Sequence, residues 1–349
     1  MNLTSPASPR AARFADAAAA ALLFLATLLF TFGPGGWDAT MSSELVTWDD
    51  PIYINDNGWL LNLSWENVLG VFTNFYISNY HPLTMLSYMI EFQFFGIEAP
   101  GYKFVNLVLH ALTIVVAFGI FRTLSVPRAL ATGLLLFFAL HPLRIESVYW
   151  VSERKDVLCG LFYLLAVWGW LAARQTTGHR ATSWLALAFL AFLLGGLSKA
   201  MIVSLPVVLI LIEIFRPQPE GRTPRLCLIA VILATSALIA WINILAQDAA
   251  IVRNSILKDR VLLAATAPGW YMLKTLWPVD LSPIYPMAYR PSLSTLAVGL
   301  SFAFLAAATS AVVLSIRRGN GGLALGLLAA GFVLGPVSGI VPIGSAFAA

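Results

Sequence analysis

"FFALHPLRIESVYWVSERKDVLCGLFYLLA", Phe137 to Ala166, decides the fold. Two strongly apolar runs flank a short polar segment that carries Arg144, Glu146, Glu153, Arg154, Lys155 and Asp156. A charge inside hydrocarbon costs roughly 2.5 to 3.5 kcal/mol on insertion scales, so the runs read as membrane-crossing helices and the polar segment as the loop joining them at an interface. The rest of the chain agrees. Of its 349 residues 59% are hydrophobic and 11% are charged, and the mean hydropathy is +0.81. That composition excludes an ordinary soluble domain and indicates an all-α polytopic membrane protein, read as a single transmembrane domain over 1–349.

About 20 apolar residues cross a bilayer, fewer where aromatic or basic residues anchor the ends. On that measure nine spans fall near 16–33, 102–122, 128–141, 157–173, 183–197, 200–215, 226–246, 294–316 and 322–342. The first reads as an uncleaved span, since no small-residue cleavage site precedes Trp37. Two further apolar stretches, 81–96 and 256–276, are placed by the basic residues. If neither crosses, Arg122, Arg128, Arg174, Arg180, Arg216, Arg222, Arg225, Arg317 and Arg318 join the N-terminus on the cytoplasmic side. Both stretches are therefore expected as interfacial or re-entrant helices, and the first also holds Glu91. Three outer loops follow: 34–101, 142–156 and 247–293.

In the first loop Trp65, Val68, Leu69 and Phe72 recur at helical spacing after Ser64, which predicts an N-capped amphipathic helix lying on the membrane surface. Cys159 and Cys227 fall near the ends of different spans on opposite faces, so they are expected to pack as small apolar residues rather than to pair. Gly331, Gly335 and Gly339, four apart, form a face that lets helices approach closely.

The polar residues gather outside. "TWDDPIYINDN", Thr47 to Asn57, places Asp49 beside Asp50 where the chain leaves the first span. Neighbouring carboxylates repel, so one of them should hold its proton more tightly and be the better base; an acidic turn capping a helix is the competing reading. In the second loop Arg144, Arg154 and Lys155 suit a phosphate, or else form mutual ion pairs with the acids around them. His141, before Pro142, reads as a helix-end cap rather than a ligand. Lys199, in "GGLSKAMIVSLP", either snorkels or closes a site with Arg154 over an anionic head group. In "LKTLWPVDLSPIYPMAYRPS" the aromatic residues, Tyr285 among them, either stack on a sugar or anchor the loop. The sequence holds no Walker-type loop, GxSxG or Cys/His cluster, and its scattered basic residues give no nucleic-acid site.

Six segments together carry a resemblance: "WDDPIYINDN", "YHPLTMLSY", "FVNLVLHAL", the stretch quoted at the outset, "LSKAMIVSLPVVLILIEI" and "LKTLWPVDLSPIYP". In this order the chain resembles the membrane domain of the transmembrane-and-tetratricopeptide-repeat O-mannosyltransferase-like proteins, within the GT-C glycosyltransferase superfamily. The resemblance implies a GT-C-like helical bundle with interfacial helices in the first and third outer loops. It also implies an enzyme that transfers a hexose, mannose by analogy, from a polyprenyl-phosphate donor to a protein Ser/Thr or a glycan or lipid hydroxyl with inversion. The reaction would take place at the periplasmic or exoplasmic face of a membrane, the bacterial inner membrane by this reading. Under the same resemblance Asp49 is the base and Asp50 orients the acceptor, while Arg154, Lys155, Arg144 and Lys199 hold the phosphate. Glu146 and Asp156 orient those cations, and His81 and Tyr285 line the substrate. A divalent cation stays open. Such proteins continue past a segment like this chain's last residues, so the sequence reads as truncated before further spans and a tetratricopeptide domain. The competing function is a non-catalytic lipid-handling, transport or scaffold protein.

Overall fold

The computed structural model describes residues 9–31, 37–38, 44–247, 257–282 and 295–335. Tyr285 and Gly339 lie outside the described residues. Among them the secondary structure is helical, with one isolated bridge between Tyr76 and Asn79. In chain order the helices are α1 (Pro9–Phe30), α2 (Asp50–Ile54), α3 (Trp65–Thr73), α4 (Pro82–Phe95), α5 (Ala99–Thr123), α6 (Arg128–Ala139) and α7 (Arg144–Tyr149). They continue as α8 (Arg154–Arg174), α9 (Gly178–Gly196), α10 (Leu205–Phe215), α11 (Arg222–Gln247), α12 (Leu257–Leu276), α13 (Thr295–Arg317) and α14 (Gly321–Leu334). The chain is an all-α polytopic membrane protein.

A helix stands at each of the nine expected spans, yet among the described residues only five are individually long and apolar enough to cross: Arg10–Phe30, Ala99–Thr123, Val151–Arg174, Arg222–Gln247 and Gly299–Arg317. Arg128–Ala139, Ala200–Phe215 and Gly321–Leu334 are apolar but shorter. At 12 residues α6 rises only about 18 Å, against roughly 30 Å of hydrocarbon. Neither α4 nor α12 is among the five.

Helix α8 is the axis of the bundle, with α5 and α9 packed along it. The largest cluster around it includes Trp170, Phe192, Ile202, Leu205, Leu209 and Ile232. Lipid tails are as apolar as these side chains, so close packing rather than water exclusion holds this part together. Gly169 shows how: a Cβ there would lie 3.2 Å from both the Trp184 carbonyl and the Ala188 side chain of α9. A second cluster, Tyr53, Leu60, Met85, Tyr88, Met89, Tyr102 and Val151, fastens the first loop onto α4, α5 and the turn before α8. The corner between α4 and α5 depends on Gly96, whose φ of +54° is costly for other residues.

Two expectations change. Ser64 does cap α3, accepting from the Asn67 amide at 3.1 Å. The apolar stripe of α3 is split, however. Val68 and Phe72 turn inward onto the second cluster with Val71, whereas Trp65 and Leu69 stay exposed. A nine-residue helix resting on a wide aromatic cluster buries the part of its stripe nearest that cluster and leaves the rest outside. Cys159 is buried as expected, but Cys227 is exposed on α11 because the helix shows that side to the surroundings rather than to a neighbour.

Candidate active site at the loop end of the bundle

Asp50 organises this end. It is fully buried, and its carboxylate accepts from the Val46 amide at 3.0 Å, the Ser152 amide at 2.7 Å and the Val151 amide at 3.4 Å. The segment 46–50 is thereby pinned to the turn that opens α8. Burial raises the Asp50 pKa, and the three amides pull it back down in part. This rise comes from desolvation, and repulsion by Asp49 is not among its causes. Both oxygens of Asp50 are turned to backbone amides.

Asp49 is different. It precedes α2 as the N-cap residue with a helical backbone, and its side chain caps nothing. Its carboxylate is half-buried and makes no hydrogen bond among the described residues. It lies near Tyr53, whose phenol pKa is raised by burial and then by the Asp49 and Glu153 carboxylates.

Beneath it stands a cluster contributed by four parts of the chain. Lys155 pairs with Glu153 at 3.2 Å, and its ammonium sits 5.7 Å from the Tyr53 ring centroid. Lys199 pairs with Asp156 and lies 3.9 Å from Glu153. His81 is buried against Tyr53, ring centroids 5.5 Å apart, and its Nε2 has no partner among the described residues. Burial, then Lys155 and Lys199, push the His81 pKa down to about 3, so the imidazole is neutral at physiological pH. An unpaired buried polar atom costs about 1 to 3 kcal/mol, which makes this nitrogen a natural place for a polar ligand group.

Arg154 is not part of this cluster. It is fully buried, donating from Nε to Asn106, from Nη1 to Ser87 and Glu91, and from Nη2 to Glu91 at 2.9 Å and the Tyr102 carbonyl at 2.9 Å. Every guanidinium donor is occupied, so the expected grip on a phosphate, and the expected joint action with Lys199, are replaced by an internal clamp between α8, α4 and α5. Glu91 offered a signal that the sequence reading did not use. A lone acid in an apolar helix requires a cation nearby, and Arg154 opens the next charged-to-apolar boundary. Asn106, Glu153 and Tyr53 carried no comparable signal.

Arg144 is the other cation of the second loop. Its guanidinium lies 5.0 Å from the Phe138 ring centroid and makes no hydrogen bond among the described residues. Burial lowers its pKa, partly offset by Asp156 and Glu146, without threatening its charge. Glu146 stands exposed at the rim, its pKa raised by partial burial and by Asp156. Asp156 pairs with Lys199, whereas Glu146 shares no hydrogen bond with a cation. His141 caps neither helix but closes the turn between α6 and α7: its Nδ1 accepts from the Leu143 amide at 3.2 Å, and its Nε2 is 2.9 Å from the Thr275 carbonyl. Among the described residues no three His, Cys, Asp or Glu stand close enough to hold a metal ion.

The Asp49 carboxylate, without a hydrogen bond among the described residues, thus stands near Tyr53, to which the cationic and aromatic groups of Lys155 and His81 also approach. Protein O-mannosyl-transferase TMTC4 of Mus musculus is 33% identical over 130 residues, covering 32% of this chain and 17% of its own. The similarity is to O-mannosyl-transferases. Protein O-mannosyl-transferase tmtc2 of Xenopus laevis is 34% identical over 112 residues, 30% of this chain and 13% of its own. Tmtc1 of Drosophila melanogaster is 28% identical over 151 residues, 43% of this chain and 17% of its own. The matches span less than a fifth of the length of these relatives. No family model matches the chain. No solved structure matches it.

Proposed function

We propose that this chain is the membrane domain of a GT-C-type mannosyltransferase that uses a polyprenyl-phosphate mannose donor at the membrane face bearing the long loops. The acceptor is a protein Ser/Thr hydroxyl, the class implied by the names of its relatives. The observation that carries this reading is the division of labour between adjacent aspartates: Asp50 takes the structural duty and leaves Asp49 with a free carboxylate. In the reaction the acceptor oxygen bonds to the anomeric carbon while the bond from that carbon to the phosphate oxygen breaks with inversion. The hydroxyl proton passes to Asp49, and the electron pair leaves on the polyprenyl phosphate. Arg144 and Lys155 stabilise that charge, with the neutral His81 donating or accepting at the substrate's polar groups.

The test is Asp49→Asn in the full chain, with mannose transfer from polyprenyl-phosphate mannose to Ser/Thr peptides followed by mass spectrometry. Turnover should fall by about 10² to 10⁴, with thermal stability and donor binding close to wild type. A variant that folds, binds donor and transfers at the wild-type rate would remove Asp49 from the role of base.

A further inference from the structure

The segment "FVNLVLHAL", Phe104 to Leu112, contributes no group to the proposed reaction, yet it carries two polar residues into an apolar helix. Asn106 and His110 stand with Lys103 at i, i+3 and i+7, so the three share one face of α5, and all three are buried. A polar side chain buried on a membrane helix is costly and so marks a function by default. Here that face, about 10 Å long from Lys103 to His110, meets the second outer loop at both ends. The Lys103 ammonium sits 3.8 Å from the Tyr149 ring centroid and donates to the Glu44 carbonyl at 2.9 Å. Asn106 donates from Nδ2 to the Trp150 carbonyl at 3.3 Å and accepts from Arg154 through Oδ1. His110 reaches the Ala139 carbonyl at 3.2 Å; a carbonyl only accepts, so Nε2 carries the proton. Ala139 ends α6, and its carbonyl is one of those a helix leaves without an intrahelical partner.

The far end of the loop is a three-residue 3₁₀ turn, Val151–Glu153, too short to pair its own backbone. Side chains do so instead: Asn106 takes the Trp150 carbonyl, the Tyr88 hydroxyl donates to the Val151 carbonyl at 2.8 Å, and Asp50 takes the Val151 and Ser152 amides. The Trp150 ring then meets that of Trp48, the neighbour of Asp49, edge-on with centroids 5.4 Å apart. We propose that Asn106 and His110 are positioning residues for the sugar transfer, fixing the two ends of the second loop and, through Trp150 and Trp48, the place of Asp49. The assignment rests on the reading of Asp49 as the base. Neither residue touches substrate; both act on loop backbone. A loop held at one end only would let the contact between the two tryptophans drift, and a misplacement of about 1 Å at the reacting groups costs on the order of 10² in rate.

The experiment measures, on the full chain, kcat and KM for polyprenyl-phosphate mannose and a Ser/Thr peptide, the Tm, and hydrogen exchange of the 140–153 amides by peptide mass spectrometry. Asn106→Asp keeps the acceptor for Arg154 and removes only the donor to Trp150; His110→Leu removes the donor to Ala139. Each should lower kcat by about 10- to 100-fold, with KM and Tm close to wild type and faster exchange in the loop. His110→Gln, whose side-chain amide restores the donor, should recover most of the rate. In an Asp49→Asn background neither variant should cause a further loss, because no base is left to misplace, whereas a general structural fault would multiply with the first loss. Should Asn106→Asp fail to fold, the two His110 variants carry the test. A wild-type kcat, a loss that follows Tm, no rescue by His110→Gln or unchanged loop exchange would overturn the assignment. Faster loop exchange in a protein whose Asp49→Asn form still transfers at the wild-type rate would sink the base and leave the loop anchors standing; unchanged exchange with an essential Asp49 would do the reverse.

Discussion

The two ends of α8 carry two ionic clusters built on opposite plans. At the end away from the long loops, Glu213 receives Arg174, the Arg225 Nε at 3.0 Å and the Trp170 indole at 3.1 Å. Arg225 also donates to the Glu220 and Gln218 carbonyls, and Arg174 to that of Arg216. This cluster staples α8, α10 and α11 together. At the loop end the charges also pair, yet Asp49, Arg144 and the His81 Nε2 keep unsatisfied valence. A closed network resists change and recognises nothing; an open one gives up some stability and retains donors and acceptors for a ligand. Within the loop end the same contrast repeats on a shorter scale, with Arg154 closed and Arg144 open only ten residues apart.

Substitutions that open a closed network should do the most damage. Arg154→Ala would strand the Glu91 carboxylate, and Glu213→Gln would strand two arginines. Each should cost about 3 to 5 kcal/mol, seen as lost monodisperse protein on fluorescence-detected gel filtration. If Arg154→Ala instead folds normally and loses only donor affinity, its assignment to an internal clamp is wrong.

Asp50→Asn tests the joint between loop and bundle. The change should lower stability by about 1 to 3 kcal/mol, since asparagine has one acceptor oxygen in place of two and its Nδ2 cannot accept from the pinned amides. It also has a pH signature. The folded pKa of Asp50 is raised, so folding takes up a proton at this site. That contribution is complete below the ordinary carboxylate range and is lost as pH rises through the folded pKa. The Tm advantage of wild type over Asp50→Asn should therefore widen as pH is lowered from neutral. A constant gap would show that Asp50 does not titrate with folding.

A smaller effect is expected for the partly exposed pair of Lys199 and Asp156. A double-mutant cycle with Lys199→Met and Asp156→Asn should give a coupling of about 1 kcal/mol, decreasing in high salt. Arg144→Ala should be the mildest of the set for stability, within about 0.5 kcal/mol of wild type, while weakening donor binding. Substantial unfolding of that variant would close the contrast between Arg144 and Arg154.

Hydropathy placed a helix at each of nine apolar runs, because apolar runs at a membrane must pair their backbone internally, but it did not show that, among the described residues, only five of those helices are long and apolar enough to cross. The cap on α3 and the gathering of polar groups around 44–57 and 141–156 were legible for a similar reason: each depends on near neighbours in sequence. Tertiary structure alone decided which charges face each other. Arg154 and Lys155 are adjacent in sequence, yet a rotation of about 100° per helical residue sends one inward to Glu91 and Asn106 and leaves the other beside Glu153 and Tyr53. Likewise Asp49 and Asp50 are chemically identical, and only the turn at Val151–Ser152, a hundred residues away, makes one a pin and leaves the other free. Sequence fixes how much charge a membrane protein carries to an interface. Which of it is neutralised depends on long-range contacts, since a desolvated charge takes the partner that packing brings to it.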